Sequence, residues 1–469
     1  MTQALSIGVT SLDANRVAID ATSENVANVQ TPGYVRESAQ LDALPGGGLL
    51  GVGDGVEVTT VAQATSALLS ANNWQAQGAM ANLGSLQQTL TAIENVFPLA
   101  TQPASASSGG TAATSSASIS GQLATFWSSW DAIAQYPASS APRTQVVDEA
   151  QSLAVSFHEA ATQLSQIAAN SQKQLTEQVS QVDTLLTQAA SLNQSIITTK
   201  GSAGNPNQLE DQLRSVIGTL SQLAGVEVRT QGDGTAMVSI GGVTVVQGDQ
   251  ASSLTVTSSS GETSVVAAPG GVAVPVGSGS IAGLLASVNT SVPKYQSKLD
   301  GVADALATVV NGQLASGYTA TGASGTPYPL FVGTGAAGLG VNAALVADPS
   351  LIAASSTGTP AAAANNGGNA QTMAELGTLP YTAATKTGGP DAAYQTMVQD
   401  IGSDTQSVDN QLQAQTSVAT QAQQALQAVT GVNVDDELTN LLGYQQDYEA
   451  SAKLLSTVDT TIQSLLQAV

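Results

Sequence analysis

The 469-residue chain has no cysteine and one histidine. A disulfide framework is therefore excluded, and a zinc site is left with almost no ligands of the usual kind. Aromatic residues make up 3% of the chain and charged residues 10%. Most of the 42% hydrophobic fraction is alanine, valine and leucine, which fills a helical seam better than a thick globular core. Basic residues are scarce: 11 lysines and arginines stand against 34 aspartates and glutamates, a net charge of −23. Nothing here would neutralise a phosphate backbone, so nucleic acid is excluded as a partner. The opening MTQALSIGVTSL has no basic segment followed by an apolar one, and no run of about 18 apolar residues is present to insert in a membrane.

What the chain does have is length and helical period. Leu5, Leu12, Ile19 and Val26 lie seven apart with Val9 on the same stripe, interrupted at Arg16 and Ser23. This spacing predicts an amphipathic, coiled-coil-like helix that Pro32-Gly33 stops. The last 37 residues repeat the design: Leu441, Tyr448, Leu455, Ile462 and Val469 form one row, and Leu438, Ala452 and Leu466 fill the alternating one. Leu455, mid-stripe, is expected to be buried only when copies associate. Asp435, Asp436 and Glu437 read as the acidic start of this helix, at the positive end of its dipole, rather than as a calcium site.

Between the ends, no proline or glycine interrupts Arg143 to Lys200. Leu153, Phe157, Leu164, Ile167, Leu175, Val182, Leu186 and Ile196 mark one face of a helix roughly 85 Å long. Segments 71–97 and 403–428 are its expected antiparallel partners. A helix is also expected over 66–97, and another over 281–316, broken near Pro293. Period-two patterning over 226–276, with Asp233-Gly234 as a turn, predicts β-hairpins. Residues 318–380, rich in Gly, Ala, Thr and Asn, are expected to form a small loop-rich outward projection. The tract 101–120 is of low complexity. GGGLLGVGDG at 46–55 lacks the Lys-Ser/Thr of a phosphate loop and reads as a turn region. His158 has no partner in sequence that would make it a ligand.

The fold class that follows is mainly α with a smaller β part. It is an elongated rod of long antiparallel helices with terminal coiled-coil helices, a β-hairpin region and the projection. The expected units are 1–70 with 431–469, 71–317 with 381–430, and 318–380.

NVANVQTPGY, Asn25 to Tyr34, resembles the N-terminal signature of flagellar rod, hook and hook-associated proteins, carried here by Asn25, Ala27, Asn28, Thr31, Pro32, Gly33 and Tyr34. GVNVDDELTNLLGYQQDYEASAKLLSTVDTTIQSLL, from Gly431, is similar to the C-terminal pattern of the same axial proteins. NPNQLEDQLRSVIGTLSQLAGVEV with DGTAMVSIGGVTVVQG, then KLDGVADALATVVNGQLASGY and Leu330-Phe331, resemble the body of the first hook-associated protein, the FlgK family. The chain departs from that pattern at Gln30, at Gln63 and Ser66, and at Leu213 and Arg214, where charged pairs are common.

The resemblance implies a structural subunit without cofactors. Such a subunit is exported unfolded by the flagellar type III system and polymerised at the distal end of the hook, outside the cell. Its implied partners are further copies of itself, the hook protein, other hook-associated proteins and an export chaperone. A rod or hook subunit is the nearest alternative, but its middle would be largely β. A secreted hydrolase would need converging groups, and 318–400 offers only Asp348, Glu375, Asp391 and Asp400, with no His or Cys.

Overall fold

A computed structural model describes residues 2–31, 33–45, 53–98, 118–202, 204–259, 261–379 and 389–467. Pro32, the glycine tract at 46–52, most of the 101–120 tract and Val469 therefore lie outside the described residues.

The ends of the chain pair with each other. Helix α1 (Thr2–Ala27) packs along the last helix, α13 (Val434–Gln467), and also against a hairpin of β1 (Glu37–Leu44) and β2 (Gly55–Gln63).

The body begins with α2 (Ala67–Val96), whose N-terminus Ser66 caps by accepting the Leu69 N–H. Then come α3 (Ile119–Gln135) and α4 (Ala141–Gly201), 61 residues with a proline in its first turn and Lys200 in its last. Such a helix is about 90 Å long and must bury its stripe along others.

It does so in two halves. Its first half buries Val146, Leu153, Phe157 and Leu164 with Phe126 and Trp130 of α3 and Tyr295 of a later helix. Its second half buries Leu175, Val182, Leu186 and Ile196 with α5 (Asn207–Ala224) and the β region. The expected partners of α4 are corrected here. Helix α12 (Pro390–Thr430) pairs antiparallel with α2 and not with α4, which rests mainly on α3 and α5, with α2, α7 (Val292–Ala315) and the β region beside it. The apolar stripe demands a partner without naming it.

The β region forms two antiparallel sheets. One contains β3 (Val226–Thr230), β4 (Ala236–Ile240), β5 (Val243–Gln247) and β6 (Gln250–Ala251). The other contains β7 (Ser253–Ser259), β8 (Glu262–Ala268) and β9 (Val272–Val274). The β3–β4 turn is the expected one: Gly234 takes φ +85°, and the Asp233 carboxylate accepts the Thr235 N–H at 2.9 Å. Helix α6 (Gly279–Ala286) leads into α7 through a π-helical turn, Ser287–Ser291. The chain thus stays helical near Pro293, because the π turn absorbs the missing proline N–H.

Residues 318–379 contain β10 (Phe331–Val332), α8 (Gly335–Gly338), β11 (Gly340–Val341), α9 (Ala343–Ala347), α10 (Pro360–Ala363) and α11 (Gly368–Glu375). The expectation of an outward projection is corrected. Leu330, Phe331, Leu345, Ile352 and Met373 lie in the same apolar cluster as α3, α4 and α7, each no more than 2% exposed. Elements this short cannot bury their own side chains, so they spread over the longer helices. Arg143, 3% exposed, fastens the segment by donating to the Ile352 carbonyl at 2.7 Å. Asn311 does the same by accepting the Leu330 N–H at 2.8 Å and donating to the Phe331 carbonyl at 2.8 Å. Among the described residues, no helix is long and apolar enough to cross a membrane.

Candidate assembly interface

The α1–α13 pair is antiparallel, as three contacts spaced along it show. Gly8 lies against Leu455, Ser11 Oγ is 2.8 Å from Ser451 Oγ, and Asn25 meets Glu437 at 3.0 Å. The face of α1 turned inward is small and polar: Gly8, Ala14, Asn15, Ala18, Ala21, Thr22 and Asn25 are buried. Small residues let two helices approach closely. A Cβ on Gly8 would stand 2.7 Å from Leu455 Cδ2.

At the lower end of the pair lies a buried polar knot. Asn25, fully buried, donates through Nδ2 to Glu437 Oε2 at 3.0 Å and to the Glu37 carbonyl at 2.8 Å. Its Oδ1 accepts the Glu37 N–H at 2.8 Å and the Tyr34 hydroxyl at 2.9 Å. The Glu437 carboxylate, 1% exposed, also takes Arg36 Nε at 2.6 Å. One asparagine and one glutamate thus tie α1, β1 and α13 together with every polar atom in use, the condition under which burying them is tolerable. Burial, with the carboxylates of Glu37 and Glu24 nearby, pushes the Tyr34 hydroxyl well above the usual phenol range, so it stays a donor.

The remaining signature residues shape the helix exit. Thr31 N–H donates to the Asn28 carbonyl at 2.8 Å, and Thr31 Oγ1 to Asn28 Oδ1 at 3.1 Å. Asn28 Nδ2 returns to the Glu24 carbonyl at 3.1 Å. Gly33 adopts φ +83°, a left-handed turn open to glycine at little cost, and Ala27 is the exposed last residue of α1.

Only part of the two predicted stripes lies in the seam between α1 and α13. Leu5 and Val9 are 40% and 45% exposed, and Leu12, Ile19 and Val26 are half-buried. On α13, Leu441, Leu455 and Ile462 are half-buried, whereas Leu438, Tyr448, Ala452 and Leu466 are exposed, Leu466 by 74%. The second row of the seam is Glu437, Tyr444, Ser451 and Val458, one step round the helix from the row expected. Leu455 already rests on Gly8 of its own chain, which corrects its expected burial by association alone.

What remains outward is apolar surface on both helices: Leu5 and Val9, and on α13 Leu438, Leu442 and Leu465, from 40% to 59% exposed, while Leu454 flanks the seam, where a Cβ on Gly8 would stand 3.3 Å from its Cδ2. Glu437, Arg36 and Gly8 were missed in sequence. The signal for Glu437 was a lone acid on the helical seam, and for Arg36 the scarcity of basic residues.

Where the terminal unit meets the body, the departures from the family pattern form a set of their own. Gln63 donates to Asp211 Oδ1 at 3.0 Å and to the Asn207 carbonyl at 3.2 Å, while Arg214 bonds both Gln63 and Asp211. Asn207 Nδ2 donates to the Val61 carbonyl at 2.9 Å. Leu213 is buried in the body.

Carboxylates that an enzyme reading would enlist have other partners. Asp391 accepts Trp127 Nε1 at 3.0 Å, Asp400 pairs with Lys298, and Asp348 accepts the Ser350 N–H at 3.0 Å. Asp436 accepts Asn433 Nδ2 at 3.0 Å, and His158 Nδ1 lies 3.2 Å from the Ala337 carbonyl.

Comparison with known proteins places this arrangement among flagellar axial proteins. Residues 110–331 match the family described as flagellar hook-associated protein FlgK helical domain, and 422–468 match the flagellar basal body rod FlgEFG protein C-terminal. Flagellar hook-associated protein 1 of Escherichia coli is 24% identical over 99% of this chain and 100% of its own length. The Bacillus subtilis protein of that name is 24% identical over 98% of this chain and 96% of its own. The flagellar hook junction protein FlgK from Burkholderia pseudomallei shares the fold, with a TM-score of 0.61 at 19% identity over 77% of this chain and all of that one. Over nearly its whole length the chain is thus similar to flagellar hook-associated protein 1.

Proposed function

We infer that this chain is a structural subunit of the bacterial flagellum, placed at the hook–filament junction, and that its paired terminal helices are the assembly element. The observation that carries the reading is the exposed apolar surface on α1 and α13 at opposite ends of one chain, next to the axial signature. A two-helix pair cannot cover such a surface, and copies stacked side by side would. Each leucine so covered is already about half buried and contributes about 1 kcal/mol more, repeated in every subunit. Export through the flagellar type III system, a chaperone for the unfolded chain, and contacts with hook protein and other hook-associated proteins complete the proposal. They rest on the family.

The test is the paired substitution Leu438→Asp with Leu442→Asp in cells lacking the native copy, with exposed Thr457→Asp as control. The double variant should be exported, fail to join the hook and leave flagellin in the medium. The control should give attached filaments. Attached filaments on the double variant would show that the outward face of α13 is not the assembly element.

A further inference from the structure

The terminal unit and the body are joined in an unusual way. None of α1, β1, β2 and α13 packs along a helix of the body. The chain crosses between them twice, at 64–66 and at 431–433. Beside the crossings lies an open cleft of roughly 1010 Å³, walled by the loop 28–36 on one side and by Trp74, Gln77 and Gln222 on the other. Among the described residues, polar contacts between the two parts include Gln63 with Asn207, Asp211 and Arg214, Glu37 with Asn207, and the Val35 N–H with the Asp211 carboxylate, with Gly33 against Ser215 and Val35 itself buried. Two backbone bonds brace the crossings: Arg36 N–H to the Thr430 carbonyl and Ala64 N–H to the Arg36 carbonyl, both 2.9 Å.

We propose that the terminal unit is a lever hinged at 64–66 and 431–433, held at one angle over the cleft by a latch of Gln63 with Asn207, Asp211 and Arg214. Apolar packing would fix the angle at the cost of exposing area on every movement. Polar bonds exchange with water at small net loss, so a latch made of them yields without unfolding either part. The cleft is the room into which the lever moves; its walls mix Gln, Asn, Ser and Thr, which tolerate wetting, with Trp74, Leu426 and Val429. Domain rotation about a few residues at element ends is the usual form of such motion. The proposal concerns a single chain and stands or falls apart from the junction assignment.

The chain's lack of cysteine makes the test direct. Thr60→Cys on β2 and Gln188→Cys on α4, both exposed, take spin labels, and pulsed electron paramagnetic resonance reads the distance between them. The parent should give one narrow distribution. Gln63→Ala and Arg214→Ala should each about double its width, while the thermal unfolding of the body stays unchanged and Arg214→Lys keeps the distribution narrow. If an alanine variant lowers that unfolding temperature, Gln63→Met, similar in size but without the amide, carries the same expectation. Distributions as narrow as the parent's in all these variants, or a broad one in the parent itself, would overturn the latch.

Discussion

The body and the terminal unit are both built from long helices, yet they bury opposite kinds of residue. In the body, α4 offers Val146, Leu153, Phe157, Leu186 and Ile196, all at 0% exposure, to its neighbours. In the terminal unit the seam of α1 is Gly8, Ala14, Ala18 and Asn25, while Leu5, Val9, Leu438 and Leu442 face out. The body buries its large side chains against itself. The terminal unit leaves several of its own exposed, and holds its internal pairing with a polar knot that fixes register more than it adds stability.

The largest effect should therefore come from the body. Phe157→Ala removes a fully buried ring from the main cluster and should cost about 3–5 kcal/mol. Denaturant unfolding of the full chain would register it, and a loss under about 1 kcal/mol would mean the cluster does not carry the body. Next is Glu437→Ala, which leaves the buried Asn25 amide one partner short. Arg36 is 39% exposed and stays solvated, so the cost is that of an unsatisfied buried amide, about 1–3 kcal/mol, drawn only from the terminal unit. Amide exchange should quicken in α1 and α13 and stay the same in α4. Equal quickening in α4 would mean that the two regions unfold together.

The smallest effect concerns pH at the latch. Burial is the main cause raising the carboxyls of both Glu37 and Asp211 above their ordinary range, with Glu24 adding to both the Glu37 and the Tyr34 shifts. Arg214, Gln63 and Asn207 pull against it, and Tyr34, Arg36 and Glu437 complete the groups facing this corner. A carboxyl whose value is raised on docking binds more protons in the docked form. Docking is therefore favoured as pH falls and weakened as pH rises through the raised values. The spin-label distribution should narrow modestly on going from neutral toward the ordinary carboxylate range. Asp211→Asn should blunt the response, and a distribution that broadens on acidification would reverse the sign.

How much of this could be read in the sequence follows the same division. Helix α4 was legible because nothing between Arg143 and Lys200 breaks a helix and its stripe is large and apolar. The β3–β4 hairpin was legible through Asp233-Gly234. The signature was legible as a motif, and Asn25 and Tyr34 occupy the polar knot. The seam of α1 was not legible, since glycine and alanine carry little hydrophobic signal and the eye follows Leu5 and Val9, which face out. Glu437 was hidden among Asp435 and Asp436, whose dipole role fitted all three. Residues 318–379 misled because their core residues, such as Phe331 and Met373, find partners far along the chain rather than within a local period.

The claim that the body is complete alone and the terminal unit is completed by other copies is tested most directly by amide hydrogen exchange on the chain as dilute monomer and in assembled junctions. The account predicts that α4 and α5 are protected equally in both, and that α1 and α13 exchange fast in the monomer and slowly in the assembly. Protection of α1 and α13 in the dilute monomer to the level of α4 would contradict it.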